Sequence, residues 1–178
     1  RKSETKTQTP QKMTRIVQNI RHQQITEFHQ AMATAHKGIN GFYRFDVSEL
    51  DGNFRNGVEM PVMMLESYSG TMVPNANATT HFYYRDISFL LLDFAGKTDD
   101  YDKQEEVLTR LEGVGLDICT YLNQCRHDPN HFLYMLFDAA SFRMEKYGPV
   151  FENMYGWIVM YTLKAQTSMI FDPDKWNF

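Results

Sequence analysis

The stretch His81–Phe94, with the sequence HFYYRDISFLLLDF, decides the fold of this 178-residue chain. Five of the six residues from Ile87 to Leu92 are apolar, and such a short apolar run indicates a β-strand buried on both faces near its end. No apolar run in the chain reaches the roughly 18–20 residues that span a membrane. We therefore predict a long strand over 81–94, within a sheet that other segments cover.

Two amphipathic patterns predict the helices that cover this sheet. Over residues 10–36, apolar side chains recur at three- to five-residue steps, after Thr9 as the N-cap and Pro10 at the first helical position. A second apolar stripe predicts a helix over 100–124. This second stripe consists of Val107, Leu108, Leu111, Val114, Ile118 and Leu122.

Shorter apolar segments predict two further strands, at 61–68 and 154–164, while 131–142 fits either a helix or a strand. This order of elements indicates an α+β fold, with an antiparallel sheet of about four to five strands covered on one face by two long helices. Loops or turns are predicted where glycine, proline and polar residues interrupt the pattern. They are Gly70, Pro74–Thr80 and Tyr147–Pro149.

Composition predicts a single domain with two distinct ends. We expect a mobile basic arm over 1–9, an α+β domain over 10–165 and a C-terminal extension over 166–178. Hydrophobic residues make up 43% of the chain and charged residues 22%, which excludes a wholly disordered protein. The net charge of −4 argues against a protein that is basic throughout and coats nucleic acid.

The cysteines and histidines do not form a recognisable metal motif. Cys125, His127 and His131 have metal-binding chemistry, but a fourth ligand is missing and a polar turn is the favoured interpretation. Cys119 and Cys125 lie about 9 Å apart along one predicted helix, on different faces, which is too far for a disulfide. Reduced thiols and synthesis in the cytosol follow.

Three histidines repeat at seven-residue spacing in the first predicted helix. His22, His29 and His36 stand about 10.5 Å apart from one to the next, so no two of them can bind one zinc ion. We expect them at a half-exposed edge of the buried face. The alternative is a subunit interface with some sensitivity to pH.

An acidic cluster opens the second predicted helix and fails the pattern of a calcium loop. Asp99 or Asp100 is expected to begin the helix, and carboxylates in a first turn are stabilised by the helix dipole. Counted from Asp100, the sixth position is Glu105 and the twelfth is Leu111, where a calcium loop needs Gly and Glu. We predict no cofactor, no metal and no enzymatic activity, because the sequence contains no catalytic motif.

Charge and apolar residues at the two ends predict an interface between subunits. Residues 1–21 carry six basic residues against Glu4, a net charge of +5, while residues 86–117 carry nine acidic residues against three basic ones, a net charge of −6. A basic arm on an acidic body favours head-to-tail association of identical subunits, with the C-terminal aromatics on a neighbour. The residues expected at the interface are Arg1, Lys2, Lys6, Lys12, Asp99, Asp100, Asp102, Phe171, Trp176 and Phe178.

The order of elements resembles the tail-terminator and head-completion proteins of tailed bacteriophages, which form rings between the portal and the tail tube. The resemblance covers roughly 10–36 and 60–165, and is closest at Phe151–Val159, FENMYGWIV. The loop at 38–60 and the tail after 165 exceed the minimal fold of that class. The resemblance implies a ring-forming virion protein, made in the bacterial cytoplasm, with portal or tail-tube partners, no membrane, at most non-specific passage of nucleic acid and no catalytic residues.

A second hypothesis comes from another class of protein. A curved sheet that cups a pocket, as in the cone-shaped NTF2-like fold, would make the chain an enzyme or a small-molecule-binding domain. Polar and aromatic side chains of the two strongest strands would line that pocket. They are Phe82, Tyr84, Asp86, Trp157 and Tyr161.

Overall fold

The structure is a computed structural model that describes residues 20–44, 58–76, 79–150 and 153–177. It contains two helices, six strands and one turn of 3-10 helix at Pro173–Lys175 in these ranges. The helices are α1 (His22–Ala35) and α2 (Tyr101–His127). The strands are β1 (Gly41–Arg44), β2 (Val62–Leu65), β3 (Ser69–Pro74), β4 (Thr80–Phe94), β5 (Phe137–Val150) and β6 (Met154–Ser168).

The six strands form one mixed sheet in the order β1-β2-β4-β6-β5, with β3 paired to β4 on the side that also carries β2. β4 and β6 pair antiparallel over their full length, from Thr80 opposite Ser168 to Phe94 opposite Met154. The α+β class is confirmed. The expected strand count is too low, and the expectation of a purely antiparallel sheet is wrong, because β1 pairs parallel to β2.

The main core lies between the two helices and one face of the sheet. Alternation along β4 directs Ile87, Phe89 and Leu91 to the helices, where they join the buried stripes of α1 and α2. The intervening residues Leu90 and Leu92 point to the opposite face. There they form a small second cluster with Val62 and Met64 of β2, so the middle of the sheet is buried on both faces, as the sequence of β4 predicts.

Helix α1 begins at His22, so the expectation of one continuous helix over 10–36 is wrong at residues 20–21. Arg21 has extended backbone angles, and the side-chain oxygen of Gln24 accepts its N–H at 2.9 Å, which caps the helix. The side chain of Arg85 also donates to the carbonyl of Ile20 at 2.8 Å. These contacts define the start of the helix, and residues 9–19 lie outside the described part of the chain.

The strand predictions are confirmed at 81–94 and 154–164, and the segment at 61–68 is shorter than expected. β2 ends at Leu65, and β3 occupies part of the predicted loop around Gly70. The ambiguous segment 131–142 consists of turns followed by the start of β5 at Phe137. The predicted turn at Tyr147–Pro149 lies inside β5 as a shift of register, and β6 extends to Ser168, three residues past the expected domain boundary.

Helix α2 follows the sequence closely. Asp100 is its N-cap and accepts the N–H of Lys103 at 3.1 Å, and the helix continues three residues beyond the expected end at 124. Within the helix, Gly115 packs against Met144 of β5, while Gly113 faces open space. In the described ranges, no helix is long and apolar enough to cross a membrane.

Candidate interaction surfaces

The chain leaves the sheet at Ser168 as a short apolar segment, Met169–Trp176, called here the C-terminal segment. The N–H of Met169 donates to the carbonyl of Thr79 at 2.9 Å, which fixes the exit of the segment beside the start of β4. Phe171 and Trp176 keep 61% and 58% of their surface exposed, although their rings stack with centroids 6.1 Å apart. The segment therefore presents its aromatics to the outside instead of burying them in its own core.

The acidic residues expected at an interface lie together at the start of α2. Asp99, Asp100 and Asp102 are all exposed. Asp99 also lines an open groove of about 830 Å³. The groove is lined by Gly96, Lys97, Thr98, Asp99, Tyr101, Pro149 and Asn153.

Three of the expected interface residues belong to the basic arm, a fourth is Lys12 just after it, and a fifth ends the sequence. Arg1, Lys2, Lys6 and Lys12, like Phe178, lie outside the described residues. Their predicted role at an interface therefore depends on the charge and composition of the sequence alone. The structure brings Phe171 together with Trp176, and Asp99 together with its acidic neighbours, as two separate surfaces.

A third surface, which the sequence did not indicate, lies on the side of the sheet away from the helices. The paired registers place Thr71 and Val73 of β3, Phe82 and Tyr84 of β4, and Lys164 of β6 side by side on it. The ammonium of Lys164 lies 4.5 Å from the ring centre of Phe82 and 5.1 Å from that of Tyr84. We call these five residues the open face.

Among the histidines that the structure describes, His29 has the largest pKa shift, and it is fully buried between α1 and the sheet. Its Nδ1–H donates to the carbonyl of Ile25 at 2.7 Å, so its Nε2 accepts the hydroxyl hydrogen of Tyr161 at 2.8 Å. Burial lowers the pKa of His29 to about 4 and raises the pKa of Tyr161. Both polar groups are thus satisfied inside the core, and the expectation of a half-exposed histidine edge is wrong at this position.

The other two histidines of the series behave differently. His22 is exposed, and its ring lies 5.5 Å from that of Tyr68. His36 is half-buried, and its Nε2 lies 3.3 Å from the carboxylate of Asp117 on α2. The three side chains therefore occupy three different environments and form no common site.

Arg85 is an unusual charged residue in the sheet. It is buried on the helix-facing side and stacks on Tyr83, with its guanidinium carbon 4.3 Å from the ring centre. One nitrogen donates to the Ile20 carbonyl, while Nε and Nη1 have no hydrogen-bond partner among the residues that the structure describes. The side chain ties the segment before α1 to the sheet.

Cys125, His127 and His131, near the end of α2, lie in different environments and do not form one cluster. Cys125 is buried, where burial raises the pKa of its thiol, and His127 is exposed. The Nδ1 of His131 accepts the N–H of Leu133 at 3.1 Å. Within the described ranges no group of three or more possible ligands could hold a metal ion, and Cys119 and Cys125 are both free thiols.

The residues expected to line an NTF2-like pocket are divided between the two sides of the sheet. Phe82, Tyr84 and Asp86 lie on the side away from the helices, and the Thr162 hydroxyl donates to Asp86 at 2.8 Å. Trp157 and Tyr161 lie under the helices, where the indole N–H donates to the carbonyl of Leu108 at 2.9 Å. These five side chains therefore do not surround one cavity.

Comparison with known proteins adds no family. No protein-family model matches the chain, and no curated protein matches it in sequence.

Proposed function

We propose that this protein is a non-enzymatic structural subunit of a tailed-phage or phage-derived particle, which assembles into an oligomeric ring. The observation that carries the proposal is the exposed C-terminal segment. Ile170, Phe171 and Trp176 keep 72%, 61% and 58% of their surface exposed, and large apolar side chains exposed within one short segment are typical of a protein–protein contact. Head-to-tail contacts between identical subunits generate rings when the rotation closes.

The distribution of charge supports the same proposal. Residues 1–21, which begin with the basic arm, carry a net charge of +5 and complement the exposed acidic start of α2 at Asp99, Asp100 and Asp102. Complementary charges steer association and fix orientation more than they add affinity. We propose that the arm of one subunit reaches the acidic surface of its neighbour, while the portal or tail tube supplies the other partners in the virion.

The use of polar groups in the interior also supports a structural role. His29 and Tyr161, the buried groups with the largest pKa shifts, satisfy each other and a backbone carbonyl, and both side chains lie in the closed core. The hydrogen bond between these two side chains therefore holds α1 against β6.

The mass of the purified protein in solution, measured over a wide concentration range, tests this proposal. A ring subunit is expected to form a discrete oligomer at high concentration or with a portal or tail-tube partner. A protein that stays monomeric at every concentration and with those partners would contradict the proposal. So would stoichiometric binding of a metal or cofactor, or turnover of a substrate.

A further inference from the structure

The C-terminal segment is already organised for binding. Asp172 accepts the N–H of Asp174 at 3.3 Å and forms an ion pair with Lys175 at 3.0 Å, which closes the 3-10 turn. The turn brings the rings of Phe171 and Trp176 together in a stack. Because the segment keeps this shape before it meets a partner, little conformational freedom is lost on docking.

The open face offers a surface of matching chemistry. Val73 is 38% exposed, and Phe82 and Tyr84 are half-buried, so the face presents apolar and aromatic area between polar residues. The helices lie on the other side of the sheet, and the second apolar cluster lies further along β4, around Leu90 and Leu92. This part of the sheet is therefore accessible in the described structure.

The charges on the two surfaces are complementary. Lys164 on the open face lies over two rings and forms no ion pair with any described residue. Asp174 in the C-terminal segment is exposed, and its carboxylate has no partner in the described ranges. The acidic residues Asp172 and Asp174 against Lys175 give the segment a net charge of −1. A carboxylate could pair with the ammonium of Lys164 while the hydrocarbon chain of Lys164 stays packed on the rings of Phe82 and Tyr84.

We infer that the C-terminal segment of one copy docks on the open face of a second copy, with its aromatics against Val73, Phe82 and Tyr84 and with Asp174 beside Lys164. The backbone hydrogen bond from Met169 to Thr79 fixes the exit of the segment, and Phe171 and Trp176 both keep more than half of their surface exposed. The inference rests on the proposed self-assembly and names the surface that receives each neighbour.

Charge reversal tests the pair without endangering the fold, because both side chains are exposed. K164E and D174K are each expected to weaken self-association by about tenfold, and the double variant K164E/D174K is expected to restore it. K146E is the matched control, since Lys146 is an exposed lysine of β5 outside the open face, and it should leave association unchanged. Equal melting temperatures establish that all four variants fold.

A mixing experiment tests whether the contact joins two chains. A chain that ends at Ser168 keeps the open face but lacks the segment, and the K164E chain keeps the segment but has an altered face. Each alone should associate weakly, and their mixture should form mixed complexes measurable by mass. A mixture that associates no better than its components would overturn the inference.

The two proposals fail in different ways. If the wild-type protein assembles while K164E and D174K behave like K146E, the docking site is wrong and the ring proposal stands. If the wild-type protein remains monomeric at all concentrations and with its partners, the ring proposal fails and the docking inference fails with it.

Discussion

His29 shows how a single buried side chain gives this fold a dependence on pH. It is neutral in the folded protein because burial lowers its pKa from 6.5 to about 4, and its two ring nitrogens contact Ile25 and Tyr161. The unfolded chain takes up a proton near the ordinary pKa. The neutral histidine therefore contributes stability that is fully present above pH 6.5 and is lost as the pH falls towards 4.

We expect the free energy of unfolding to fall by about 3 kcal/mol through this group between pH 6.5 and 4, at 1.36 kcal/mol per pKa unit. Denaturant unfolding at several pH values measures the loss. In H29Q the pH dependence should shrink by about this amount, because glutamine does not titrate. H22Q, which changes an exposed histidine of the same helix, is the matched control. An unchanged pH profile in H29Q would refute the assignment.

Helix α2 contains two glycines whose surroundings predict opposite effects. A Cβ at Gly113 would meet nothing within 4 Å, so G113A gains helix propensity alone and should raise the free energy of unfolding by up to about 1 kcal/mol. A Cβ at Gly115 would lie 2.6 Å from the sulfur of Met144, so that side chain must move. G115A is expected to gain nothing or to lose stability by overpacking.

Thermal or denaturant unfolding of the two variants compares them directly. The same substitution on the same helix makes each variant the control for the other. A G115A protein as stable as G113A would show that α2 does not pack on β5 at this position.

The elements that the sequence predicted are those with a continuous run or a periodic stripe of buried apolar side chains. The apolar run of β4 and the apolar stripe of α2 were sufficient to predict these two elements, because their residue types are determined by burial alone. β3 was missed because all six of its residues are exposed, so that only backbone pairing with β4 makes it a strand. The start of α1 at His22 was missed because Arg85, distant in sequence, helps to define it through the Ile20 carbonyl.

The candidate surfaces likewise divide into those that the sequence predicts and those that depend on the folded structure. Exposure of Phe171, Trp176 and the acidic start of α2 agrees with the prediction from their position and charge, and their role at an interface stays a prediction. The open face could not be predicted, since it depends on the register that places Lys164 opposite Tyr84. His29 could not be distinguished from His22 and His36, because equal spacing says nothing about the depth of burial.

Assembly through the basic arm predicts a dependence on salt. If the arm of one subunit contacts the acidic start of α2 on another, added salt should weaken assembly of the full chain more than that of a chain lacking residues 1–9, since salt screens exposed charges. Sedimentation at several ionic strengths measures both. Equal salt dependence of the two chains would remove the arm from the interface.

The long pairing of β4 with β6 has a consequence for the nascent chain. The two strands are separated by residues 95–153, so a ribosome completes β4 well before β6 leaves the exit tunnel. During that interval the apolar residues of β4 lack the strand that flanks them along their whole length. Late closure of such a distant pair slows folding and leaves an unpaired strand edge available to chaperones or to aggregation. Translation speed across α2 and β5 therefore bears on the yield of folded protein.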